Sequence, residues 1–124
     1  MEKKRAGPVT ELLNKEKIAS LGEEIGPENV PVLLGIFLNE LETYLGVLSD
    51  ATYNDKITYL KEISHALKSS AASFGADALC DFALNLDGRA KQNDAFDEVN
   101  DVLAMIDVLH QTQHAYQKWQ NDAF

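Results

Sequence analysis

Lys61-Glu-Ile-Ser-His-Ala-Leu-Lys-Ser-Ser-Ala-Ala-Ser-Phe-Gly75 decides how this chain is read. Ile63, Leu67, Ala71 and Phe74 recur at intervals of three and four residues, and Ile57 and Leu60 carry the same spacing upstream. That period belongs to a helix with one apolar face, and it predicts a helix from about Asp55 to Ser73, ended by Gly75. At about 100° per residue, His65 points roughly 160° away from the centre of the apolar sector. The imidazole therefore belongs on the solvent face, in mid-helix, on a support with little freedom to move.

Working outward, helical spacing recurs in segment after segment, and no alternating β-branched run of strand length interrupts it. The 3 prolines, Pro8, Pro27 and Pro31, all lie in the first quarter, so long helices are permitted from Val32 onward. Residues 1–13 read as a polar tail that includes Lys3, Lys4 and Arg5. A short helix follows Asn14, with Ile18, Leu21 and Ile25 on one face, and Gly26-Pro27 stops it. A longer helix starts near Pro27 or Asn29, with Pro31 in its first turn. Its apolar stripe is Leu33, Ile36, Phe37, Leu41, Tyr44, Leu45 and Leu48, and Gly35 and Gly46 read as places where another helix comes close. Beyond Gly75, a fourth helix covers about Asp77 to Gln92 through Leu79, Phe82, Ala83, Leu86 and Ala90. Asp94 is placed to cap a fifth, which buries Val99, Val102, Leu103, Ile106, Leu109 and Tyr116. Short connections favour antiparallel neighbours. The expected fold is all-α: an up-down antiparallel four-helix bundle with a short additional N-terminal helix, over residues 14–124.

Composition narrows the function. Acidic residues outnumber basic ones by 20 to 11, which argues against nucleic acid as the main partner. No apolar stretch approaches the roughly 20 residues of a membrane span, and the basic Met1–Arg5 opening is not followed by a signal-peptide core. A cytoplasmic, membrane-free and monomeric protein is expected. The single cysteine, Cys80, forms no internal disulfide and reads as packing.

The candidate chemistry lies around His65. Lys61 is one turn before it and Lys68 one turn after, at spacings that bring side chains together. Ser69 and Ala72 share the face and keep the surface beyond the ring low and open. Ammonium groups disfavour a further positive charge at the ring, and neutral imidazole is the form that attacks phosphorus. Lysine then balances charge that builds on phosphoryl oxygens. The plainer reading is an exposed histidine between two solubilising lysines. His110 and His114, with Asp107, have the spacing of a metal chelate, but His110 falls within the apolar stripe of its helix, so no metal is assigned. Tyr116 and Trp119 read as the seal of one end of the bundle.

The order His65-Ala-Leu-Lys68-Ser-Ser-Ala-Ala-Ser-Phe-Gly75-Ala-Asp-Ala-Leu79 resembles the signature of histidine-phosphotransfer (HPt) domains. In those, a phosphorylated histidine is followed by a lysine three residues on, small residues, a glycine and a leucine at these spacings. Phe37-Leu-Asn-Glu40 and Tyr59-Leu-Lys-Glu-Ile63 resemble the preceding helices of that family, and the likeness runs from about Ile18 to Trp119. Asn29-Val-Pro-Val-Leu-Leu34 and Lys61 to Asp77 are similar, more narrowly, to phosphorelay proteins of bacterial quorum sensing. Many family members have glycine directly after the lysine; this chain has Ser69.

The resemblance implies a phosphocarrier with no ATP site of its own. His65 would accept a phosphoryl group from the aspartyl phosphate of a hybrid sensor kinase receiver domain and pass it to the receiver domain of a response regulator. Lys68 would stabilise phosphoryl charge, the receivers would supply Mg²⁺, and the chain would bring no cofactor. Nε2 is the ring atom the family implies, with Nδ1 held by a neighbour the sequence does not name. No Walker glycine loop or glycine-rich lid is present. Two other functions remain open on sequence: a non-catalytic helical adaptor that binds a signalling partner through the His65 face, and a metal-binding bundle.

Overall fold

The computed structural model describes residues 11–123, and within them the chain is helical, with no strand. Five α-helices form in order: α1 (Lys15–Ile25), α2 (Val30–Ser49), α3 (Lys56–Phe74), α4 (Asp77–Lys91) and α5 (Glu98–Ala123), with a 3₁₀ turn at Pro27–Asn29. The basic residues expected in the tail, Lys3, Lys4 and Arg5, lie outside the described residues. From Glu11 onward the chain is held, because its carbonyl accepts a hydrogen bond from the Ala78 N–H at 2.8 Å.

Local chemistry sets each boundary. The Asn14 side chain accepts from the N–H groups of Glu16 and Lys17, capping α1, and Asp55 does the same for α3 through Thr58. Gly75 ends α3 in the left-handed conformation at φ +78°, where its neighbour Ala76 returns an N–H to the Ala71 carbonyl. The Gly75 carbonyl then accepts from the Asn14 N–H at 2.7 Å. A Cβ at Gly75 would lie 2.5 Å from the Asn14 oxygen, so glycine is required both for conformation and for the docking of α1. Asp77 completes that joint, accepting from Asn14 at 2.9 Å and pairing with Lys17 at 3.0 Å.

One core serves all five helices. Leu34, Phe37, Leu41 and Leu48 of α2 meet Leu60 and Leu67 of α3, Leu79 and Leu86 of α4, and Met105, Leu109 and Tyr116 of α5 in a single buried cluster. Each such side chain contributes roughly 1.5–3 kcal/mol by leaving water. α3 packs most extensively on α4, and α2 on α5. Tyr116 joins two of these pairs: its hydroxyl donates to the Phe74 carbonyl at 2.6 Å, while Phe74 stacks on Phe37 at 4.7 Å.

Several sequence expectations need correction. Asp94 does not cap the last helix. With Asn93 at φ +59°, its N–H closes the end of α4 on the Arg89 carbonyl. α5 instead starts under Asp97, whose carboxylate accepts from the Asn100 N–H at 3.0 Å, and Asp101 accepts from the Asp97 N–H in return. The buried line of α5 is Val102, Met105, Leu109, Thr112 and Tyr116, so Val99 and Leu103 are exposed and so are His110 and His114. Ile36 is likewise turned out of α2, because the core line there follows Leu34, Phe37, Leu41, Leu45 and Leu48. Gly35 and Gly46 meet no neighbouring side chain within 4 Å, and no helix crosses there. Finally, Pro27–Ser49, at 23 residues, contains a stretch long and apolar enough by composition to pass for a membrane span. One face of that helix forms the core described above, which accounts for the composition.

Candidate functional site

α3 carries His65 to the surface opposite its buried line of Leu60, Ile63, Leu67 and Ala71. The side chain is 68% exposed, as the helical phase requires. It is not bare. Asp87 of α4 comes up beside it, with Oδ1 3.4 Å from His65 Nδ1. With Nδ1 turned to this carboxylate, Nε2 lies on the other side of the ring.

Asp87 itself is only 9% exposed, and its second oxygen holds two ammonium groups, Lys68 Nζ at 2.7 Å and Lys91 Nζ at 3.0 Å. Hydrogen bonds from Lys68 and Lys91 hold the carboxyl at a pKa of about 2, well below its ordinary value, against the opposing effect of burial. A buried carboxylate without such partners would be costly, so the cluster is self-consistent: an anion beneath the ring, and two cations that keep it ionised.

The expected site residues separate into two groups. His65 and Lys68 are brought together through Asp87. Ser69 is exposed and Ala72 half-buried on the same helix, so no large side chain from either position rises beside the ring. Lys61 is exposed, but its ammonium lies 5.4 Å from the centre of the Phe96 ring, toward the α4–α5 connection. Gly75 stands ten residues beyond His65, some 15 Å along the helix axis, and its place is in the α1 joint. The picture of an imidazole flanked by lysines alone is thus corrected: the charged group paired with the ring is a carboxylate.

On sequence, Lys91 falls with Arg89 in the last turn of the fourth helix, and neither Asp87 nor Lys91 is assigned to the site, although a signal exists. Asp87 follows Ala83 by four residues and Leu86 by one, which places a carboxylate inside the apolar stripe of α4. A charge at such a position calls for a counter-ion, and Lys91 one turn on supplies one. The Cys80 thiol donates to the Lys68 carbonyl at 3.5 Å, and burial raises its pKa, consistent with a packing role.

A solvent-facing imidazole set against a carboxylate and bordered by ammonium groups, on a helical scaffold, has the chemistry of a nucleophile beside an anion-binding charge. The Hpt domain family model matches residues 32–115, a span that contains His65, Lys68, Asp87 and Lys91, and the chain belongs to that family. It is similar over most of its length to curated phosphorelay proteins named LuxU. The protein from Vibrio vulnificus (strain YJ016) is 72% identical over 114 residues, covering 92% of this chain and 99% of that protein. The LuxU of Vibrio harveyi is 50% identical over 112 residues, with 90% and 98% covered. That of Vibrio cholerae is 54% identical over 106 residues, with 86% and 94% covered. No solved structure matches the chain.

Proposed function

We propose that this protein is the phosphoryl carrier of a quorum-sensing phosphorelay, with His65 as its acceptor. The observation that carries the reading is the exposed His65 ring with Nδ1 set against Asp87. A neutral imidazole whose proton sits on Nδ1 presents a lone pair at Nε2, and the carboxylate favours that tautomer. Nε2 attacks the phosphorus of an aspartyl phosphate. The P–O bond breaks with its electron pair leaving on the aspartate carboxylate, the P–Nε2 bond forms, and the Nδ1 proton remains on the ring, facing Asp87. Lys68 offsets charge on the phosphoryl oxygens. The reverse sequence delivers the group to a second aspartate.

Asp87 acts through the ring as a positioning residue, and it stabilises the imidazolium character that develops when Nε2 shares its electrons. The donor would be the receiver domain of a hybrid sensor kinase and the acceptor that of a response regulator. These receivers would supply Mg²⁺, and this chain would bring no cofactor and no ATP site. Ser69 and Ala72 keep the approach open, and Lys61 lies at its border. The four longer helices are read as an up-down antiparallel bundle with α1 as the additional short helix, supported by the short connections and the α3–α4 and α2–α5 packing. The carrier would act as a cytoplasmic monomer. Incubation of wild type and His65→Gln with a phosphorylated receiver tests the reading. Wild type should become labelled and the folded variant should not; equal labelling of both would remove His65 from its role.

A further inference from the structure

The cluster beneath His65 holds more positive charge than its carboxylate needs. Asp87 Oδ2 receives both Lys68 Nζ and Lys91 Nζ, while Oδ1 faces the imidazole. Counting Lys68 and Lys91 against Asp87, with a neutral ring, leaves one surplus positive charge, in a chain whose formal net charge is −9. Transfer of the phosphoryl group to Nε2, with the Nδ1 proton kept on the ring, adds one net negative charge and brings the local balance to about 0 with Lys91 present and −1 without it.

The two lysines are not equivalent. Lys68 is largely covered and held at 2.7 Å, so its ammonium acts on the phosphoryl group from a fixed place beside Asp87. Lys91 sits in the last turn of α4 with a side chain 62% exposed, and its ammonium reaches the covered Asp87 carboxylate from the solvent side. Lys68 stays on the same Asp87 oxygen, so the carboxylate keeps a counter-ion when the long, solvent-facing stem of Lys91 redirects its ammonium. The other cations nearby are engaged elsewhere. Lys61 lies over Phe96, and Arg89 is gripped by Asp101 and the Ala95 carbonyl and also lies over Phe96.

We infer that Lys91 is a second phosphoryl-binding residue, held in place by Asp87 while His65 is empty and transferred to the phosphoryl oxygens once His65 is loaded. This rests on His65 being the acceptor. Its consequence is a longer-lived carrier. In hydrolysis the oxygen of water bonds to phosphorus, the P–Nε2 bond breaks with its electron pair returning to the ring, and one proton of that water passes to bulk solvent, leaving neutral imidazole and hydrogen phosphate. In a loose transition state the phosphoryl oxygens carry less charge than in the ground state. An ammonium bound to them therefore favours the loaded state over its breakdown.

The test uses the full chain loaded with potassium phosphoramidate, a small P–N donor that releases ammonia, and follows the phosphohistidine by ³¹P NMR. Lys91→Gln, in which Asp87 keeps Lys68, should retain its helical circular dichroism, lose its phosphoryl group about two- to fivefold faster at low salt, and show a raised midpoint for phosphoryl titration. Lys91→Arg should restore both, and the difference should shrink as salt is added. A Lys91→Gln protein with wild-type lifetime and titration overturns the inference, as does an arginine variant that behaves like glutamine. His65→Gln separates the two levels. If it takes up as much phosphate as wild type, or if wild type takes up none, the phosphotransfer reading itself fails.

Discussion

His65 Nδ1 and Asp87 Oδ1 lie 3.4 Å apart, joining a solvent-exposed ring on α3 to a covered carboxylate on α4. The two residues are 22 positions apart in the chain, and the turn at Gly75 and Ala76 brings them side by side. The site is therefore a property of the α3–α4 pair, not of one helix. Any change that shifts α4 along α3 alters the chemistry without touching the histidine.

Removing the carboxylate tests that dependence. Asp87→Asn keeps the side-chain shape but cannot hold two ammonium groups or favour charge on the ring. Its initial rate of phosphoryl uptake from a charged receiver should fall by about tenfold, with helical circular dichroism unchanged. An unaltered rate would show that Asp87 is there for the helix pair alone.

Acid stability should carry the signature of the same residue. Its folded pKa, about 2, lies below the ordinary 3.8, so its ion pairs contribute fully above about pH 4. That contribution is lost as pH falls from about 4 toward 2, where protonation becomes easier in the unfolded chain than in the folded one. Denaturant midpoints of wild type should decline through this window, and those of Asp87→Asn should decline less. Parallel curves for the two proteins would contradict the assignment.

Gly75→Ala should be among the most damaging single-methyl changes. It forces a β-carbon onto a φ of +78° and against the Asn14 oxygen. The left-handed conformation costs about 1–2 kcal/mol for a non-glycine residue, and the clash adds to it. Thermal unfolding should show a loss of about 2–3 kcal/mol, with α1 protected least from hydrogen exchange.

Gly35→Ala and Gly46→Ala should do the opposite. Both glycines lie within α2 and meet nothing within 4 Å. Each substitution should stabilise the fold by about 0.5–1 kcal/mol, measured by denaturant titration. A loss at either site would mean that a partner helix does approach there.

These paired predictions also mark what the sequence made legible. Helix positions follow from spacing, and the bounds near Asn14, Asp55 and Gly75 from local signals, whereas the start of α5 falls to Asp97 and not to Asp94. The exposure of His65 followed from helical phase alone. What did not follow depended on neighbours. Apolar residues occur on more than one face of α2 and α5, so only packing selects Leu34 over Ile36, and Met105 over Leu103. Gly35 and Gly46 look like helix contacts on sequence, which does not show which face of α2 stays uncovered. Asp87 escaped notice for the same reason: its partners, Lys68 and His65, lie on another helix. The resemblance to phosphotransfer domains points to His65, and the structure sets a carboxylate beside its ring.

The central claim concerns a single atom. A ¹⁵N-labelled sample loaded with phosphate and examined by ¹⁵N–³¹P NMR reports directly where the phosphoryl group is bonded. Coupling to Nε2 of His65 is expected, with the Nδ1 proton retained and shifted by Asp87. Coupling to another side chain, or to Nδ1 of His65, would contradict that claim.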